Sequence, residues 1–178
     1  SSATIAIGAA VTGNGGISLY PNADGVGIAL YDGTGAFSLD ATELQFLAST
    51  GTVTIGLASG TGSANAISIA SGGAINLTGE SFNLTLEGAG SAIAFNTTAA
   101  GGLSLASGRT LTLAAGGAIT SPGAGASDIA IAGTSILDIS SATFAGSLAN
   151  PLIIAAATLR APVSSGDLYV NATGALAL

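Results

Sequence analysis

The chain reads as an all-β protein and, within that class, as a parallel β-solenoid. Three observations predict this. Apolar residues stand two apart along most of the 178 residues, with a small or polar residue between them, and a period of two marks a strand with one buried face. The runs are short and separated by Gly, Ser, Asn and Asp, which tolerate positive φ and close tight turns. The side chains are also small: 48% of residues are hydrophobic but only 4% aromatic, with no Trp, Cys, Met or His. A narrow stack of coils has room for Ile, Leu, Val and Ala on equivalent positions of the next coil, and little room for larger rings.

In chain order the alternating pairs are Ile5/Ile7, Ile17/Leu19, Val26/Ile28/Leu30, Phe37/Leu39, Leu44/Phe46, Val53/Ile55/Leu57, Ile67/Ile69, Ile75/Leu77 and Phe82/Leu84/Leu86. They continue as Ile93/Phe95, Leu103/Leu105, Leu111/Leu113, Ile129/Ile131, Leu137/Ile139, Leu152/Ile154, Leu168/Val170 and Leu176/Leu178. Each is read as a strand with its apolar members pointing inward. Gly13 to Gly16, Asp32 to Gly35 and Ala115 to Gly117 are read as turns. No helix is expected, because Gly recurs too often and no stretch keeps i, i+3, i+4, i+7 spacing.

Strands spaced in this way fit a sandwich, a barrel or a solenoid. Reuse of one turn element favours the solenoid. Leu47 to Gly51, Leu57 to Gly60, Ile69 to Gly72 and Leu105 to Gly108 resemble one another, and Ser71 to Ile75, Ala100 to Leu103 and Ala115 to Ile119 form a larger echo. The period read from them is about 18 to 20 residues, or two strands per coil and roughly nine coils. A β-sandwich is the alternative, although its strands differ because each meets a different neighbour. A transmembrane barrel would carry aromatic girdles and longer strands, and no apolar run reaches the ~18 residues of a spanning helix. Membrane insertion is therefore not expected. Residues 1–178 are read as a single solenoid segment. Its start at Ser1-Ser2 without Met, and its end within a pattern at Leu178, suggest part of a longer fibre.

Nine acidic residues face only two bases, Arg109 and Arg160, for a net charge of −7. Nucleic acid is excluded as a partner, since phosphate neutralisation needs clustered cations. Without Cys, His or Lys there is no thiolate nucleophile, imidazole base or soft metal ligand, so neither an enzyme nor a cofactor is expected. Disorder fits poorly with so much Ile, Leu and Val.

Each remaining constellation has a plain reading beside its chemical one. Asp24, Asp32 and Asp40 lie eight apart, the first two beside glycines, as in calcium-loaded β-rolls, yet the Gly-Gly-x-Gly-x-Asp nonapeptide is missing and Asp beside Gly is ordinary turn chemistry. Glu80 with Glu87, or Asp128 with Asp138, could be the paired carboxylates of a polysaccharide hydrolase, but the bases, aromatics and long loops of a cleft are missing. Sequons begin at Asn76, Asn83, Asn96 and Asn171. An outward Asn followed two residues later by an outward Thr produces them without any glycosylation. Tyr20, Tyr31 and Tyr169 could be sugar-stacking platforms, but with three spread along the chain, surface or turn packing is the plain reading.

The block from Ala100 to Thr120 (AGGLSLASGRTLTLAAGGAIT) resembles the repeats of filamentous-haemagglutinin-like exoproteins and related giant bacterial surface adhesins, as do Gly146 to Leu152 and Gly166 to Leu178. The resemblance is clear in the C-terminal half and one of texture elsewhere. It implies a right-handed parallel β-helix forming a fibre outside the cell. Asn150-Pro151 is followed by Leu152 and not by the Asn of the family's secretion motif, which points to shaft and not to the export-directing end. The expected function is the structural shaft of a secreted or cell-surface adhesin supporting attachment or biofilm. The alternative is a self-assembling subunit of an extracellular filament or sheath. The expected partners are the chain's own continuation or copies placed end to end, with host or surface glycans as targets.

Overall fold

The computed structural model of the chain describes residues 6–31, 37–69, 73–96, 102–123, 127–131, 133–140, 143–162 and 166–178. Ile5, Asp32 and the glycine-rich links at 70–72 and 100–101 lie outside them. The elements in chain order are β1 (Val11–Gly13), β2 (Gly16–Leu19), β3 (Ile28–Tyr31), β4 (Phe37–Asp40), α1 (Ala41–Gln45), β5 (Leu47–Ser49), β6 (Thr52–Leu57), β7 (Ile67–Ile69), β8 (Ile75–Leu77) and β9 (Asn83–Gly88). They continue with β10 (Ile93–Phe95), β11 (Leu103–Leu105), β12 (Thr110–Ala115), β13 (Ile119–Thr120), β14 (Ile129–Ile131), β15 (Ile136–Ser140), β16 (Leu152–Ala155), β17 (Thr158–Arg160) and β18 (Val170–Ala172).

The chain is all-β, and its strand pairs are parallel. A six-stranded sheet has the order β17-β15-β12-β9-β6-β2, and two five-stranded sheets have the orders β13-β10-β7-β3-β4 and β18-β16-β14-β11-β8. β1 pairs with β5. From β6 onward, successive strands visit the six-stranded sheet, then the sheet of β7, then the sheet of β8, and return. Where no strand forms in the second sheet, Ala145 and Leu168 take its place as isolated bridges, with Ala145 joined to both Ile119 and Leu168.

Register explains why the pattern folds this way. Ile17, Val53, Leu84, Leu111, Leu137 and Leu159 stand opposite one another across the six-stranded sheet. A slip of one residue would turn this whole set outward. The inward residues of all three sheets merge into one hydrophobic cluster, filled by Ile and Leu stacked on Ile and Leu, with Phe37, Phe82 and Phe95 as its largest buried side chains.

Two expectations are corrected. The repeat holds three strands, not two, and is longer than about 20 residues: Val53 lies opposite Leu84, 31 residues on, and Leu84 opposite Leu111, 27 on. The six-stranded sheet accordingly carries six layers, not nine. The short period arose because different corners share one chemistry. Gly73-Ala74-Ile75 and Gly102-Leu103 lead into the sheet of β8, whereas Gly117-Ala118-Ile119 leads into the sheet of β7. The second correction is α1, which replaces the strand read at Leu44/Phe46. Asp40 Oδ1 accepts the Glu43 N–H at 2.8 Å and Glu43 Oε2 accepts the Asp40 N–H at 2.9 Å, a reciprocal cap that starts a helical turn.

Candidate functional site

The acidic residues singled out in the sequence are engaged separately. Asp24 Oδ1 accepts the N–H groups of Gly62 (2.8 Å) and Ala64 (3.3 Å), tying the loop after β2 to the loop after β6. Asp40 caps α1, and Asp32 lies outside the described residues. Among the described residues no group of three His, Cys, Asp or Glu could hold a metal ion.

Glu80 precedes β9 and Glu87 lies near its far end, so the two sit at opposite ends of one strand. Burial raises both carboxyls above the ordinary glutamate value. Glu80 borders a groove of about 220 Å³ lined by backbone-rich turns at Thr12 to Asn14 and Ala48 to Thr50, without a second acid. Asp138 is on β15 and stands opposite Arg160 and Thr112 in the six-stranded sheet. Asp128 immediately precedes β14 in another sheet, so this second pair is not brought together either.

Among the described residues Asp128 is nonetheless the most deeply buried acid, at 1% exposure. Its Oδ2 accepts the Ile153 N–H at 2.8 Å while its own N–H donates to the Ile153 carbonyl. Burial raises its pKa, and the Ile153 and Ser121 hydrogen bonds oppose that rise. The arrangement clasps two repeats together; it leaves no carboxylate oxygen turned toward solvent for chemistry.

The sequons lie in different settings. Asn76 is exposed on β8, and its Oδ1 accepts both the Thr78 N–H (3.1 Å) and the Thr78 hydroxyl (2.7 Å). Asn83 Oδ1 accepts the Thr110 N–H of the next repeat at 3.0 Å. Asn96 Nδ2 donates to Ser68 Oγ at 2.7 Å, and Asn171 is exposed on β18. Tyr20 is 42% exposed, Tyr31 packs against the core at the end of β3, and Tyr169 stands at the other end of the stack with its hydroxyl 3.4 Å from Asp167. They form no common platform.

One set was missed in the sequence. Ser18, Thr54, Thr85, Thr112, Asp138 and Arg160 form a single rank across the outer face of the six-stranded sheet. The signal was present as the outward partners of the apolar pairs, in Thr-Val-Thr, Asn-Leu-Thr and Thr-Leu-Thr.

Comparison with known proteins returns no match: no family model, curated protein or solved structure aligns with the chain.

Proposed function

We propose that the three sheets are the walls of a right-handed parallel β-helix and that the chain is a non-catalytic shaft segment of a large secreted or cell-surface adhesin. The observation that carries this reading is the unbroken register of the inward rank from Ile17 to Leu159, one residue per repeat. Such a stack lengthens by adding repeats without changing its core, which is what a spacer needs. The hand follows from the rule that parallel crossovers within a sheet are right-handed in about 98% of cases. The likeness of the Ala100 to Thr120 block to adhesin repeats supports the placement outside the cell.

A second reading, a subunit that polymerises end to end, draws on Leu148 (85% exposed) and Leu168 (37%) in the later repeats. The sheet containing β7 narrows along the stack, from four residues at β3 and β4 to single bridging residues at Ala145 and Leu168. Immunogold labelling of intact producing cells with an antibody against this chain tests the proposal. Label along surface fibres, with attachment lost when the segment's gene is deleted, is expected; label confined inside the cell would overturn it.

A further inference from the structure

Across β6, β9 and β12 the outer face of the six-stranded sheet presents Thr52 and Thr54, Asn83 and Thr85, and Thr110 and Thr112, a block of six positions in two ranks. The Thr54, Thr85 and Thr112 rank is in strict register. Thr52 stands opposite Asn83, whose Oδ1 is tied down on the Thr110 N–H. Parallel pairing sets neighbouring strands about 4.8 Å apart and same-face residues of one strand about 6.6 Å apart. The block is therefore a two-dimensional lattice in which five of the six positions carry a hydroxyl and a methyl group, and the sixth is the amide of Asn83. All six residues are half-buried by their neighbours, and a β-branched side chain has few χ1 rotamers to lose. The lattice is thus ordered before anything binds.

Charge selects the partner. In a chain with nine acids and two bases the block itself carries none; Glu87 on β9 and Asp138 on β15 border it. An uncharged, rigid, periodic surface complements another uncharged periodic surface of hydrogen-bonding groups, and does not complement a flexible or ionic ligand. The spacings are comparable to those between water oxygens on the faces of ice. Threonine methyls favour an ordered water cage while the hydroxyls join it. We propose that this face binds ice, holding a patch of ordered water that merges with the crystal lattice. The proposal does not depend on the adhesin reading.

The test is partition of the intact chain into a slowly growing ice front, with growth-habit imaging of single ice crystals. Thr85→Tyr breaks the plane on the middle strand of the block and Thr112→Tyr breaks it at the β12 edge. Ala130→Tyr, on the outer face of β14 in another sheet, is the control, and circular dichroism checks that all three fold. Incorporation into ice by the wild type and the control, and its loss in both Thr variants, is the expected result. Exclusion of the wild type from ice, equal incorporation of all variants, or binding to crystalline cellulose with exclusion from ice would each overturn it.

Discussion

Asp128 accepts a hydrogen bond from Ile153 and one from Ser121, yet burial still raises its pKa above the ordinary aspartate value. Because the folded value lies above the unfolded one, protonation favours the fold. Its contribution is present in full below the unfolded pKa and is lost as pH rises through the folded one. Glu80 and Glu87 act in the same direction. Thermal midpoints across mildly acidic pH should therefore rise as pH falls from neutrality, and Asp128→Asn should flatten that rise. The amide keeps an acceptor for the Ile153 N–H and carries no charge to desolvate. Asp128→Ala should instead destabilise by about 1–3 kcal/mol at neutral pH, since a buried N–H loses its partner. Gly56 is a second residue with a specific requirement. It sits in β6 at φ +95°, and a Cβ there would run into the Glu87 carbonyl oxygen of β9. Gly56→Ala should cost about 1–3 kcal/mol in urea unfolding, more than an ordinary exposed substitution.

Among the elements, α1 shows how one short cap organises the first repeat. The Glu43 carboxylate accepts the Asp40 N–H with one oxygen and the Ile7 N–H with the other, both at 2.9 Å. Leu44, 1% exposed, points into the core, and Gln45 Nε2 reaches the Asn76 carbonyl of β8. The helical turn thus stacks on β8 and ties down the segment around Ile7. Glu43→Ala should cost about 1–2 kcal/mol and lower hydrogen-exchange protection at Ile7 together with that of α1. The cap was legible as Asp40 followed three residues later by Glu43, but Leu44 and Phe46 stand two apart and mimic a strand. β1, β5, β13 and β17 escaped for the opposite reason: Val11, Leu47, Ile119 and Leu159 are lone strongly apolar residues, and a period needs two. Strands with two inward residues, such as β9 and β12, were legible at once. Which strand paired with which was not, because Gly-rich corners of one composition join all three sheets, and only register separates a 27-residue repeat from a shorter echo.

At the scale of the whole molecule the stack is uneven. The spacing across the six-stranded sheet falls from 36 residues between Ile17 and Val53 to 22 between Leu137 and Leu159. The sheet of β7 shrinks to single bridges at the same end. Protection should therefore centre on β6, β9 and β12 and decline toward β17 and β18. Leu111→Ala, at 0% exposure, should cost about 2–5 kcal/mol, whereas Leu168→Ala at the last bridge should cost under about 1 kcal/mol. Ile55→Asp should abolish cooperative unfolding, since the charge would have no partner in the core.

The central claim is that distant parts of the chain stack in register along one axis. Since the chain has no cysteine, spin labels can be placed pairwise on the outward rank without background. Ser18→Cys with Arg160→Cys spans five strand steps of that rank, which is about 24 Å between backbones at about 4.8 Å per step. Moving the first label to Thr54 removes one step. Pulsed electron resonance should give narrow distance distributions for both pairs, with the second shorter by about 5 Å. A broad distribution, or a Thr54 pair as long as or longer than the Ser18 pair, would contradict the stacked register.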